Sequence, residues 1–318
     1  MDKTKVTPKD FFLWAGAMIA LYVSVFSFLA LVFDYINYAF PDQLSPFYGG
    51  DPYQGGVSYE MASLIVLFPI FLILMRVIHN SIAKDPSRRE VWVRRWALFL
   101  TLFFAAASLA IDLITLIMYF LNGEISERFI LKVLLVLLVA GAGFLHFIAD
   151  LRGYWEGNAQ KAKAIAWACG VLIVLTIGSG FLIIGTPAQA RNYLLDEQKV
   201  SDLQNIQNEV VTYWQQEGKL PTSLDQLNDP LSGVTVPTAA QSGQSYDYKV
   251  IGSLSFQLCA TFNSVTDPNA ITPDMLSIPT PEGPAGSQDL SDSWYHDAGN
   301  QCFSRSIDPA RYPRIKSQ

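Results

Sequence analysis

The residues that could do chemistry lie inside long apolar stretches. Asp112 sits deep in one stretch and Lys132 in the next, about one turn nearer the far side. His146 and Asp150 are four apart, so on a helix they share a face. Arg76 and His79 close an earlier stretch at a similar depth. Ionisable groups inside membrane spans mark proton or ion paths, or else interhelical salt bridges that fix packing. One deep acid with one nearby lysine makes no continuous relay. The expected use of Asp112 and Lys132 is therefore a structural pair between neighbouring helices.

Five apolar segments must position these residues: about 11–33, 59–78, 96–121, 129–151 and 163–185. Each meets the roughly 20 residues that a bilayer core demands, and 51% of the 318 residues are hydrophobic. Pro69 should kink the second span. The third and fourth are joined only by residues 122–128, which makes them antiparallel neighbours. Ala105, Ala106, Ala107 and Ser108 on one, and Gly141, Ala142 and Gly143 on the other, lie at matching depth and predict a close backbone approach there.

Basic residues fall on one side only. The connection from Asp34 to Ser58 has none, whereas the next carries Arg76, Lys84, Arg88, Arg89, Arg94 and Arg95. Arg152, Lys161 and Lys163 follow the fourth span, and Lys3, Lys5 and Lys9 precede the first. This bias predicts a cytoplasmic N-terminus and an extracytoplasmic C-terminus. The first span is expected to be an uncleaved anchor. The organisation reads as a cytoplasmic N-terminus (1–10), a four-helix membrane domain (11–155), a fifth transmembrane helix (156–186) and an exported domain (187–318).

Residues 187–318 carry eight Lys and Arg against fifteen Asp and Glu, a net charge of −7. Such a surface does not suit nucleic acid. Leu203, Ile206, Val210 and Tyr213 form an amphipathic stripe on a helix that ends at Gly218, with Asp202 among the polar positions between them. A short turn or helix at 222–227 follows. Residues 246–250 and 255–262 alternate as an antiparallel pair turning near Gly252. Phe256, Leu258, Ala260 and Phe262 should face the helix, with Cys259 on the opposite face. A third strand at 302–304 should join through a Cys259–Cys302 disulfide, since both thiols lie in the exported half. Cys169 is expected to be a small filler in the fifth helix.

Motifs for catalysis are missing from the sequence: no P-loop, no GxGxxG, no nucleophile elbow and no metal-ligating Cys/His cluster. His296 reads as a surface residue. Asp289, Asp292 and Asp297 could hold Ca²⁺, the one candidate cofactor, although they do not match the regular calcium-loop spacing.

Two resemblances cover most of the chain. Phe68-Pro69-Ile70, Lys84-Asp85-Pro86-Ser87-Arg88, Ile111-Asp112-Leu113-Ile114, the run from Asn122 to Phe129, Lys132-Val133-Leu134 and Ala149-Asp150-Leu151-Arg152 resemble a bacterial membrane family, domain of unknown function 5671. That likeness implies a helical membrane module over about 8–153 and no particular activity. Residues 202–213, Gly218 to Leu227, Tyr246-Asp247-Tyr248 and the run His296 to Phe303 resemble the ectodomain of type IV pilins and type II pseudopilins. The departure is that pilins carry a basic leader, a processing site and a glutamate just inside the mature helix, whereas the stretch 163–185 follows four other spans and contains no acid.

The expected fold is thus an α-helical membrane bundle of five transmembrane helices plus a small α+β pilin-like extracytoplasmic domain. The expected role is non-enzymatic: a multi-pass protein of the bacterial inner membrane that anchors or contacts pilus- or secretion-type machinery through the 266–291 loop. Its expected partners are the lipid bilayer and envelope or pilus-like proteins. The alternative is a small-solute or ion transporter using Asp112, Lys132, His146 and Asp150.

Overall fold

The computed structural model describes residues 7–40, 56–85, 91–123, 125–229, 231, 233–266 and 294–314. The chain divides into two compact units, Met1–Ile184 and Gly185–Gln318.

The first unit is helical. Its elements are α1 (Pro8–Ala39), α2 (Val57–Lys84), α3 (Trp92–Asn122), α4 (Glu127–Leu151), the single turn α5 (Tyr154–Gly157) and α6 (Ala159–Ile184). Five of them, all but α5, are long and apolar enough to cross a bilayer, as a multi-pass membrane protein requires. Their outward faces are apolar too: Phe26, Leu138 and Leu182 are exposed. Lipid, not water, is the solvent that tolerates such a surface.

Local signals set the helix ends. Thr7 caps α1 in a reciprocal capping box with Asp10. Gly123 ends α3 in the left-handed region, at φ 73°, and Ser126 caps α4 by accepting the Phe129 N–H. This stop and start three residues apart makes α3 and α4 the packed hairpin that their short connection predicts.

The close approach lies elsewhere than expected. A Cβ on Gly141 or Gly143 would meet nothing within 4 Å, so those glycines face open space. Instead α1 touches all four other long helices. Its buried face is small and polar: Ala17, Ala20, Ser24 and Ser27 alternate at three- and four-residue spacing before Phe28 and Leu31. Small side chains let several helices meet one. A second such contact is Gly180 on α6, where an added Cβ would strike the Met61 sulfur and the Tyr35 hydroxyl.

The second unit is α+β. Thr186 starts α7 (Pro187–Glu217) in a capping box with Gln189, and Gly218 at φ 71° ends it. A 3₁₀ turn at Leu224–Leu227 follows. Then come β1 (Asp247–Val250), β2 (Ser255–Phe262) and β3 (Gly299–Ser306), an antiparallel sheet in the order β1-β2-β3. The alternation in β2 buries Phe256, Leu258, Ala260 and Phe262 against Leu203, Ile206 and Val210 of α7. The stripe ends on Trp214, which is fully buried, and Tyr213 is only half-buried. Steps of three and four both stay on one helical face, and the longer step is the one aimed at the sheet.

Candidate functional site

The intramembrane residues do not form one site. Asp112 is buried on α3, with its Oδ2 atom lacking a hydrogen-bond partner. Among the described residues no ion pair joins it to Lys132, which corrects the expected pairing. The Lys132 ammonium lies 5.4 Å over the Phe33 ring and interacts electrostatically with Asp34, both near the end of α1. With 3.6 residues per turn, a helix presents polar groups at different positions to different neighbours. Here α1, not α3, lies under Lys132.

At the other end of the α3–α4 hairpin, Asp150 accepts from Arg94 of α3 at 3.2 Å. Both side chains are partly exposed, so the pair contributes little more than register. His146, one turn before Asp150 on α4, interacts electrostatically with that carboxylate. Its ring lies 5.0 Å from the Trp155 ring, and its carbonyl accepts the Trp155 indole N–H at 3.1 Å. Arg76 and His79 are on the exposed face of α2.

A different polar cluster was not legible in the sequence. Asp34, near the end of α1, and Glu60, in the first turn of α2, repel one another while Lys132 attracts Asp34. The Asn37 Oδ1 and Glu60 Oε2 atoms are buried without partners. Tyr35 donates to the Thr176 carbonyl at 2.8 Å, linking α6 to the same end of α1. Asp34 belongs to α1 and not to the first connection, where the sequence alone places it. The only available signal was the three-residue step from Asp34 to Asn37, which is too common to single out.

In the second unit, the polar centre is also internal. Asp196 is buried and accepts the backbone N–H groups of Asn263 and Ser264 at 2.8 Å each, and the Lys199 ammonium at 3.0 Å. Lys199 in turn donates to the Thr261 carbonyl at 2.7 Å. Asp202 accepts the Tyr246 hydroxyl at 2.6 Å. It is therefore buried, not one of the exposed polar positions expected of α7. Burial holds the Tyr246 phenol well above its ordinary range, and the Asp202 carboxylate adds to this.

His296 is buried as well, against the expectation of a surface residue. It stacks on Phe262 at 3.7 Å, and Nδ1 lies 3.1 Å from the Ser264 carbonyl. Burial lowers its pKa, the nearby Asp196 carboxylate opposing in part, so the surroundings favour the neutral ring. Such a histidine has no access to substrate. Arg305 is sequestered in the same way, 4.3 Å over the Trp294 ring and bonded to Gln207 at 2.9 Å.

The Cys259–Cys302 disulfide joins directly opposed residues of β2 and β3 on the polar face of the sheet. Cys169 is a free, exposed thiol on α6. Of the three candidate calcium ligands, Asp289 and Asp292 lie outside the described residues, as does nearly all of the 266–291 loop. Asp297 is exposed. Among the described residues no group of three or more His, Cys, Asp or Glu side chains is arranged to hold a metal ion.

A family model described as a domain of unknown function, DUF5671, matches residues 10–147, which run from α1 through most of α4. No curated protein and no solved structure matches the chain.

Proposed function

We propose that this chain is a non-catalytic, multi-pass protein of the bacterial inner membrane that displays its C-terminal unit outside the cytoplasm. The observation that carries the reading is the Cys259–Cys302 bridge in a unit that follows five membrane-length helices. Disulfides persist in oxidising compartments. An odd number of crossings puts the two ends of the chain on opposite sides, and the basic connections favour a cytoplasmic N-terminus. In this reading the displayed unit is pilin-like: a long helix packed on a small antiparallel sheet, with the bridge near the end of the chain. It serves as an anchor or docking partner for pilus- or secretion-type machinery.

Fusion of an enzyme that is active only outside the cytoplasm tests the topology. Fused after Gln318, it should be active; fused at Ser87, it should be silent. The reverse pattern overturns the reading.

A second reading, transport of an ion or small solute, draws support from the unpartnered oxygens of Asp112, Asn37 and Glu60 inside the first unit. Buried acceptors without partners are costly unless water or an ion visits them. Flux across vesicles containing the purified protein, abolished by Asp112→Asn with stability unchanged, would favour transport over display.

A further inference from the structure

We propose that the corner formed by the end of α4, the turn α5 and the start of α6 binds the phosphate-bearing headgroup of an anionic phospholipid. The inference rests on the membrane reading above but not on which way the chain faces.

The corner is built rather than loose. Gly153, at φ 71°, turns the chain sharply out of α4. Trp155 then pins α5 back onto α4 through its bond to the His146 carbonyl and its ring contact with His146. This leaves the neighbouring Tyr154 facing outward, 45% exposed. Lys161, two residues into α6, donates to the Tyr154 hydroxyl at 3.1 Å and lies 5.7 Å over its ring. An ammonium has three N–H donors, so two remain, and the Tyr154 O–H is still able to donate. Arg152 and Lys163 are exposed at the same turn, and neither has an ion pair among the described residues. The nearest acid on α4, Asp150, is already taken by Arg94.

The result is a small set of oriented donors in which Arg152, Lys161 and Lys163 outnumber Glu156, the one acid of α5, at the end of apolar helices where headgroups lie. A phosphodiester offers the matching acceptors and the matching charge. Exposed aromatic side chains such as Tyr154 settle at the same level. A zwitterionic headgroup carries its own ammonium and would gain less.

The test uses the full chain in neutral detergent, mixed with equal amounts of phosphatidylglycerol and phosphatidylcholine and analysed by native mass spectrometry. One phosphatidylglycerol should be retained in preference. Lys161→Gln and Arg152→Gln should each lower its retention by about fivefold, the equivalent of about 1 kcal/mol per charge at a membrane surface. Phosphatidylcholine retention should not change. Tyr154→Phe, which removes only the hydroxyl, should also lower phosphatidylglycerol retention while the helical circular dichroism stays constant. Lys249→Gln, an exposed charge in the other unit, should have no effect.

Equal retention of the two lipids, or equal losses in Lys249→Gln and Lys161→Gln, overturns the proposal. Displacement of the lipid by inorganic phosphate at matching concentration would make this a free-anion site, and that too overturns the lipid assignment. Carbonate washing of native membranes separates the two levels of inference. Release of the protein defeats the membrane reading and this proposal with it; retention without a phosphatidylglycerol preference defeats this proposal alone.

Discussion

The Lys199 ammonium lies 3.0 Å from the Asp196 carboxylate, three residues apart on α7, and both side chains are buried. Asp196 also holds the backbone N–H groups of Asn263 and Ser264, so this one carboxylate ties the end of β2 to the helix. Removing a single member of a buried pair strands the other charge, at a cost of about 3–5 kcal/mol. Asp196→Ala should therefore destabilise the C-terminal unit by that amount in urea unfolding of residues 185–318. Asp196→Leu combined with Lys199→Met should cost less than the two single changes together. Additive losses would show that the pair is not coupled.

Tyr246 and Asp202 make the alkaline side of the stability profile. The phenol's pKa is raised above its ordinary 10.0, so the fold favours the neutral form. Its contribution is complete below pH 10 and declines above that value, as the unfolded chain loses the proton that the native state keeps. Tyr246→Phe should cost about 1.5–3 kcal/mol at neutral pH, because the bond is to a charged acceptor. It should also reduce the loss of stability above pH 10. An unchanged alkaline slope would count against the assignment.

His296 acts at the acid side. Its pKa is lowered from an ordinary 6.5 by burial. Between the two values the unfolded chain binds more protons than the native one, so stability falls as pH drops below 6.5 and levels off below the native pKa. His296→Gln should flatten that part of the profile, measured by unfolding between pH 7 and pH 5. If the slope in this range is the same in the variant, other groups produce it.

The Cys259–Cys302 bridge spans 43 residues of sequence. A loop of that length adds about 4 kcal/mol in the chain-entropy model. Non-reduced digests of the protein purified from membranes should contain the crosslinked peptide. Reduction should lower the unfolding midpoint of the C-terminal unit, whereas blocking Cys169 should not. Free thiols at both Cys259 and Cys302 in protein purified from membranes would contradict the bridge.

The membrane unit offers a paired comparison. Arg94 and Asp150 are bonded, so a double-mutant cycle on them should show coupling of about 0.2–1 kcal/mol. Asp112 and Lys132 have different neighbours, so their cycle should be additive within about 0.5 kcal/mol. Asp112→Asn alone should leave thermal stability in detergent nearly unchanged. Clear coupling between Asp112 and Lys132 would mean that the two meet after all.

Much of the architecture was legible because it is written in short-range patterns. Long apolar runs marked the five spans, and the short connection 122–128 marked the α3–α4 hairpin. Period-two alternation in β2 and the three-and-four stripe in α7 named seven of the sixteen buried hydrophobic residues in the described C-terminal core, and the two cysteines of that unit named their bridge. Each of these signals needs only neighbouring residues and the geometry of one element.

Tertiary structure alone decided which polar groups meet. Lys132 lies over Phe33 rather than beside Asp112, because the rotation of α4 against α1 selects its neighbour, and rotation is set by packing along whole helices. The small residues that matter are on α1 and at Gly180, not at Gly141 and Gly143, since small size permits an approach without saying which helix makes it. Asp196, Asp202 and His296 look like surface residues in one dimension. They are buried because the residue preceding β1, the end of β2 and the segment before β3 bring a phenol, an aromatic ring and backbone N–H groups to meet them. A buried polar group is stable only when such partners arrive, and partners 44 or 67 residues away in sequence can be found only by folding.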